Sequence, residues 1–512
     1  MIWKGMKLLL IVLLLPFVMA GQAGAVDEAA PVRAMPKGDA TRGKVVFEKR
    51  CAWCHGWDGA GEGPAVDVVR PKPRDFTRAK YRIRTTTGGK LPTDRNLFDA
   101  ISNGLPGTSM PAWKGLISDQ EISDVTQYLK TLSKKFARWK KKGRELPEVT
   151  VGPEIPSSPE SIEKGKELYT KLGCWKCHGK SGRASGPSMS GLIDERNVPI
   201  RPANFHKPWN FRGGSSRKDI YLRFNTGVNG TPMPSFQDQL DNEKSWHLAN
   251  FVRSLGPEKR PQVRETIYTE FIEGDIPMDF EDPKWHGNDK KKVVSYYFPL
   301  LGQIMIEPRR FWPNVDDIYI KALHNGKDVA FLIEWDDPTK SPIAPNKVYP
   351  LQYADGFDLQ LPLLRPEDPT KKPYFVGGDK KRKMGIWSWN SESEKAVLLK
   401  GKGIYKRKVV EGATPIETKS VYNDGRWSLL MKRAMKTDND KELQIEAGKF
   451  LPISFQALDG SEGDTGSLRS VSTWYWLILK PNIPPTRYAA AAVAFILTLG
   501  LEFVWMRRQN NA

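Results

Sequence analysis

All four cysteines of the 512-residue chain fall in two five-residue stretches, Cys51-Ala52-Trp53-Cys54-His55 and Cys174-Trp175-Lys176-Cys177-His178. A C-x-x-C-H run ties the chain to a flat macrocycle: two thiols this close add across the two vinyl groups of one haem, and the following histidine is left beneath the ring to bind iron. The competing chemistries each lack a part. Tetrahedral zinc sites pair clusters that are near in sequence, whereas these begin 123 residues apart (174 − 51). A redox dithiol has no use for a histidine directly after its second cysteine, and a disulfide framework leaves both histidines unexplained. The doubled motif predicts two covalent haems c, attached through Cys51 and Cys54 and through Cys174 and Cys177, with His55 and His178 as iron ligands.

Iron held on one face by histidine needs a second ligand or stays open. Gly107-Thr108-Ser109-Met110-Pro111 and Gly230-Thr231-Pro232-Met233-Pro234 are nearly the same loop, and each methionine stands 59 residues after the first cysteine of its motif (110 − 51 and 233 − 174). A lone methionine is usually core filler. Methionines at one fixed separation from two haem cysteines, in loops stiffened by proline, are predicted to be distal thioether ligands, Met110 opposite His55 and Met233 opposite His178. Soft sulfur favours ferrous iron, so His/Met ligation raises the reduction potential and suits electron transfer over oxygen activation.

The repeat extends beyond the ligands. Thr41 to Phe47 precedes the first motif and Glu163 to Tyr169 the second; both read as short helices whose glycine lets another helix approach, with an aromatic residue one turn later. Behind the methionines, Ser118–Leu132 and Asn242–Leu255 carry apolar residues three and four apart, as on one helix face. Tyr128 and Phe251 both fall 18 residues after their methionine (128 − 110 and 251 − 233). First and last helices crossing beside a haem are the pattern of class I cytochrome c, which residues 39–140 and 158–258 each resemble. The resemblance implies all-α domains, joined here by a linker at 141–157, and haem attachment outside the cytoplasmic membrane.

The termini agree with export. Lys4 and Lys7, an apolar run from Leu8 to Ala20 and the small residues Ala23-Gly24-Ala25 read as a secretory signal over residues 1–25. Near the other end, Tyr488 to Met506 is apolar apart from Thr498 and Glu502, and its 19 residues (506 − 488 + 1) suffice to cross the roughly 30 Å of membrane hydrocarbon as a helix. Arg507 and Arg508 follow, so the predicted topology is a single transmembrane anchor with the haems on the periplasmic face. The formal charge of +20 falls to about +18 once Lys4 and Lys7 are removed, which favours acidic redox partners or anionic headgroups. An exported chain without a nucleic-acid motif is not expected to bind nucleic acid. The basic run Lys134 to Arg144 and the proline-rich Pro147 to Pro159 read as solvated connecting chain.

From Thr266 the texture turns to strand. Asp317–His324 and Lys327–Trp335 flank Asn325-Gly326, the pair most favoured in a tight hairpin, and a second hairpin is predicted at Asp424-Gly425. Together with Trp335-Asp336-Asp337-Pro338-Thr339, Asp355-Gly356-Phe357, Trp387-Ser388-Trp389 and Ser470-Val471-Ser472-Thr473-Trp474, residues 266–481 resemble the haem-b domain of ethylbenzene dehydrogenase. That family supplies gamma subunits of periplasmic molybdenum enzymes of the dimethyl sulfoxide reductase group. The resemblance implies an all-β sandwich gripping a non-covalent haem b between methionine and lysine. At those positions this chain has Val376 and Arg469, neither of which can bind iron. Either Met384 serves in another register or the domain kept its fold and lost haem b. The remaining histidines, His206, His247, His286 and His324, read as structural.

The fold class expected is therefore multidomain: two all-α cytochrome c domains, a β-sandwich and a C-terminal transmembrane helix. The expected function is electron relay between a periplasmic oxidoreductase, of molybdenum or iron–sulfur type, and cytochromes of the respiratory chain, rather than catalysis by the chain itself. Two other classes compete: a dihaem peroxidase with one iron open to substrate, and a ligand-binding β-sandwich with accessory haems.

Overall fold

The structure, a computed structural model, describes residues 34–143, 145–287, 292–346, 349–366, 368, 372, 376–482 and 485–510. The secretory signal expected at 1–25 lies outside the described residues.

Module 1 comprises α1 (Ala40–Arg50), α2 (Ala52–His55), α3 (Asp94–Asn103), α4 (Asp119–Thr131) and α5 (Lys134–Lys141). Its helices start where side chains supply the missing hydrogen-bond acceptors: Asp39 accepts from the Arg42 N–H, and Thr93 with Asn96 and Ser118 with Glu121 form reciprocal caps. Ile122, Val125 and Leu129 then bury one face of α4 against α1. The two helices cross at Gly43, where an added Cβ would lie 2.0 Å from the Asp124 carbonyl oxygen, and one turn on Phe47 packs 5.2 Å from Tyr128.

Module 2 repeats the design with α6 (Pro159–Lys171), α7 (Trp175–His178), α8 (Arg217–Thr226) and α9 (Asn242–Ser254). At its crossing an added Cβ on Gly165 would lie 2.1 Å from the His247 carbonyl oxygen, and Tyr169 packs 5.3 Å from Phe251. Alanine ordinarily favours a helix interior over glycine by about 1 kcal/mol. Here backbone meets the new methyl group and cannot yield, so Gly165→Ala is expected to lower stability by about 1–3 kcal/mol, read from the urea midpoint.

The connection between the modules is not the solvated chain the sequence suggested. Residues 134–141 form α5, whose Phe136 and Trp139 pack on the module 1 core. The segment that follows is buried at Val149, whose N–H donates to the Thr85 carbonyl at 2.8 Å, and the Trp246 indole N–H donates to the Gly152 carbonyl. The apolar residues scattered among the lysines and prolines explain the difference: each finds a groove on one module or the other.

After α9 come β1 (Thr266–Phe271), the short helix α10 (Pro283–His286), β2 (Tyr296–Pro299), β3 (Leu301–Gly302), β4 (Asp317–His324) and β5 (Asp328–Asp336). The sheet continues with β6 (Gly356–Pro362), β7 (Met384–Asn390), β8 (Ala396–Gly401), β9 (Arg407–Val409) and β10 (Glu417–Asn423), and ends with β11 (Arg426–Ala434), β12 (Phe450–Leu458), β13 (Ser470–Val471) and β14 (Tyr475–Leu479). Its main path runs β10-β11-β5-β4-β1-β14-β12-β6-β7-β8-β9. Both predicted hairpins are present: β4 and β5 turn one residue later than expected, at Gly326-Lys327, where the Asn325 N–H donates to the Asp328 carbonyl at 3.2 Å, and β10 and β11 turn at Asp424-Gly425, with φ +39° and +88°. Parallel β1 joins the two halves between β4 and β14. The halves fold face to face over one apolar core, where Trp387 meets Phe331 at 5.8 Å and Trp389 meets Trp335 at 6.0 Å.

The chain ends in α11 (Pro485–Asn510). Among the described residues no helix is long and apolar enough to cross a membrane; residues 487, 488, 490 and 491, at the start of the expected span, have no described side chains. From Val493 to Met506 the large apolar side chains of α11 are all exposed.

Candidate haem sites

Each C-x-x-C-H motif is one turn of helix. The His55 N–H donates to the Cys51 carbonyl at 2.9 Å and that of His178 to Cys174 at 3.0 Å, and Gly56 and Gly179, at φ +76° and +82°, turn the chain away. The imidazoles are oriented alike. His55 Nδ1 lies 3.1 Å from the Arg74 carbonyl oxygen and His178 Nδ1 lies 3.0 Å from that of Ala203. A carbonyl only accepts, so Nδ1 carries the proton and Nε2 keeps its lone pair for a metal. Phe76 stacks on His55 at 4.6 Å and Phe205 on His178 at 4.4 Å, fixing both rings. Burial pushes each histidine down to about 4, so both are neutral at physiological pH, the state a ligand requires. Burial also pushes Cys51 up to about 12 and Cys174 up to about 11, keeping the unmodified thiols protonated.

The methionine loops share one hydrogen-bond pattern. Leu105 N–H donates to the Met110 carbonyl and Val228 N–H to that of Met233, both at 3.1 Å; the Thr108 and Thr231 hydroxyls accept from the methionine N–H groups at 3.1 and 3.2 Å. In module 2 the structure brings Cys174, Cys177, His178 and Met233 to the wall of one cavity of about 610 Å³. The donor set fits a haem: Cys174 and Cys177 would tether it through thioethers, and His178 and Met233 would hold its iron. Module 1 repeats the local hydrogen-bond patterns at the Cys51–His55 turn and at the Met110 loop.

Charged walls of this cavity were not nominated from sequence. Arg183 pairs with Asp336 at 3.0 Å, Arg201 with Glu462 at 2.8 Å and Lys207 with Asp317 at 2.8 Å, so the β-domain supplies a carboxylate to each of these module 2 cations. Asp424 further accepts from the hydroxyl of Ser185 at 2.9 Å. The only sequence signal for these pairs was the net positive charge.

The other histidines are engaged elsewhere. His247 Nδ1 meets the Ser161 hydroxyl at 2.8 Å, and ring nitrogens of His206, His286 and His324 meet the carbonyls of Ser181, Phe280 and Lys480. At the place where the β-domain resemblance implies a haem b, Arg469 is buried, donating to Asp358 at 2.8 Å and Gln456 at 2.6 Å, and Arg407 reaches the same two side chains. Val376 and Met384 are buried, Met384 packing with Ile386 and Trp474, and the Gly377 N–H donates to Gln360 Oε1 at 2.9 Å.

Comparison with known proteins supports the assignment of the modules. The cytochrome c family profile matches residues 40–133 and 162–256. Cytochrome c of Theileria annulata is 30% identical over 107 residues, 20% of this chain and 92% of that protein. The chain belongs to the cytochrome c family, whose members carry covalent haem c. The gamma subunit of dimethylsulfide dehydrogenase from Rhodovulum sulfidophilum is 20% identical over 247 residues, covering 46% of this chain and 88% of that protein. A chain of the Kuenenia stuttgartiensis reducing HAO-like protein complex is 41% identical, with 44% of this chain and all of that chain covered, at a TM-score of 0.41. The protein is thus a multidomain electron-transfer chain of cytochrome c type, joined to a separate β-sheet domain.

Proposed function

We propose that the chain is a dihaem cytochrome c subunit that relays electrons between a periplasmic oxidoreductase and the respiratory chain. The observation that carries this reading is the duplicated site: two C-x-x-C-H turns with matching histidine tautomers and two matching methionine loops. His55 with Met110 and His178 with Met233 hold the irons, and the bound haems supply one-electron redox chemistry. The protein orients each imidazole through a backbone carbonyl, keeps it neutral and covers the ring with an aromatic side chain. With a histidine and a methionine to hold each iron, no coordination position would be left for a substrate, which favours relay over peroxidase chemistry.

The β-domain is the docking partner of the catalytic subunit, as a gamma subunit of molybdenum-enzyme type would be, and it carries no haem b. Arg469 stands where the resemblance implies the lysine ligand and, like Arg407, is tied to Asp358. A pyridine haemochrome assay tests both statements: two c-type haems and no b-type haem per chain are expected, and a b-type signal would overturn the second. Co-purification with a molybdenum or iron–sulfur subunit tests the docking; its absence from the native complex would count against it.

Localisation rests on the ends of the chain. The apolar run Tyr488 to Met506 with Arg507 and Arg508 behind it, and the exposed Phe495, Ile496, Leu497, Leu501 and Phe503 of α11, support an apolar surrounding for this end. We read α11 as the membrane anchor and the haem modules as periplasmic. Full-length protein is expected in the membrane fraction after alkaline washing, and a chain ending at Asn482 in the soluble fraction.

A further inference from the structure

The two haem modules meet along a seam rich in positive charge. Arg74, Arg82 and Arg84 enter it from module 1, Arg212 and Arg223 from module 2. The facing carboxylates are fewer: Glu195 pairs with Arg74 at 3.0 Å and Asp194 with Arg82 at 2.7 Å, while Asp219 is committed to the capping box of α8. Burial and the neighbouring arginines push Arg74 and Arg212 down to about 10, which leaves both charged at neutral pH.

The surplus is directed into the haem cavity. Arg82, Arg212 and Arg223 all line the module 2 cavity, although Arg82 belongs to module 1. The Nε atoms of Arg82, Arg84 and Arg223 are buried with no hydrogen-bond partner among the described residues. Buried donors of this kind imply an acceptor. Elsewhere on the cavity wall Arg183, Arg201 and Lys207 already have β-domain carboxylates, Arg201 keeping one buried Nη1 without a partner, whereas three unpartnered arginine Nε atoms gather at the seam. A haem tethered through its vinyl groups carries two propionates on the opposite edge, and arginine is the side chain best suited to grip them. The repeat places the same residue in each module: Arg82 follows Tyr81, packed 6.1 Å from Phe76, and Arg212 follows Phe211, packed 6.0 Å from Phe205.

We propose that Arg82, Arg212 and Arg223 form one carboxylate-binding cluster taking propionates from both haems, so that Arg82 of module 1 is a positioning residue for the haem of module 2. This rests on the two-haem reading above. The two centres then share counter-charges: each electron added to one iron is felt by the other, and the buried cations hold both potentials up.

The test is potentiometric titration of purified holoprotein, with haem content measured first. One c-type haem per chain would overturn the two-haem reading itself. With two haems present, Arg82→Gln is expected to shift the reduction equilibrium of both haems about tenfold toward the oxidised form, which is 59 mV for a one-electron couple. Met110→His in the same background changes the spectrum of the module 1 haem and lets the module 2 transition be followed alone. Lys44→Gln, on the exposed face of α1, should move neither midpoint. Arg212→Gln makes the reciprocal prediction if Arg82→Gln does not mature. A shift confined to the substituted module, or none, overturns the shared cluster.

Discussion

A chain carrying Cys51→Ser and Cys54→Ser should mature with half the covalent haem of the parent. The c-type pyridine haemochrome absorbance per chain should fall twofold, and haem staining after denaturing electrophoresis should persist through Cys174 and Cys177. Loss of both thioether bonds removes the tether, and a haem left to His55 alone would be displaced on denaturation. Module 1 should also lose stability, because Cys51 packs against the core formed by Phe47, Phe98 and Tyr128. Undiminished haem content would show that the first motif is not an attachment site.

Met233→Leu is expected to abolish the sulfur-to-iron charge-transfer band of one haem and lower its midpoint potential on the order of 0.1 V, within the roughly 0.8 V range that axial ligands span. The sign follows from soft sulfur stabilising the ferrous state. Leucine preserves the volume of the loop, so the Thr231 and Val228 hydrogen bonds should hold the backbone in place. Met189 is the matching control. It is buried in the same module and accepts from the Tyr349 hydroxyl at 3.6 Å, so Met189→Leu should leave the band intact. Two unaltered spectra in Met233→Leu would remove that residue from the ligand set.

What could be read from sequence was chemistry carried by neighbours in the chain. A C-x-x-C-H turn needs only five residues, and the Gly-Thr-x-Met-Pro loops bond within themselves, Thr108 to Leu105 and Thr231 to Val228. The crossing glycines were equally legible, since a small residue one turn before an aromatic has a local signature. The hairpins next to Asn325-Gly326 and at Asp424-Gly425 declared themselves through turn chemistry. Arg82 and Asp194 are different: they meet across 112 positions of sequence, and nothing near either residue announces the other. The same holds for parallel β1, inserted between β4 and β14, whose partners lie far along the chain. The connection at 145–157 misled through composition, because its prolines and charges outnumber the few residues, Val149 foremost, that seat it.

That seated connection governs how charge travels. With Val149 bonded to Thr85 and Trp246 bonded to Gly152, the covalent bridge between the modules is stitched to each of them. A tethered shuttle must swing through solvent to deliver its cargo and slows as the medium thickens. Here the donor-to-acceptor gap is set by packing, so the internal hop should proceed at one rate in dilute buffer and in concentrated glycerol alike.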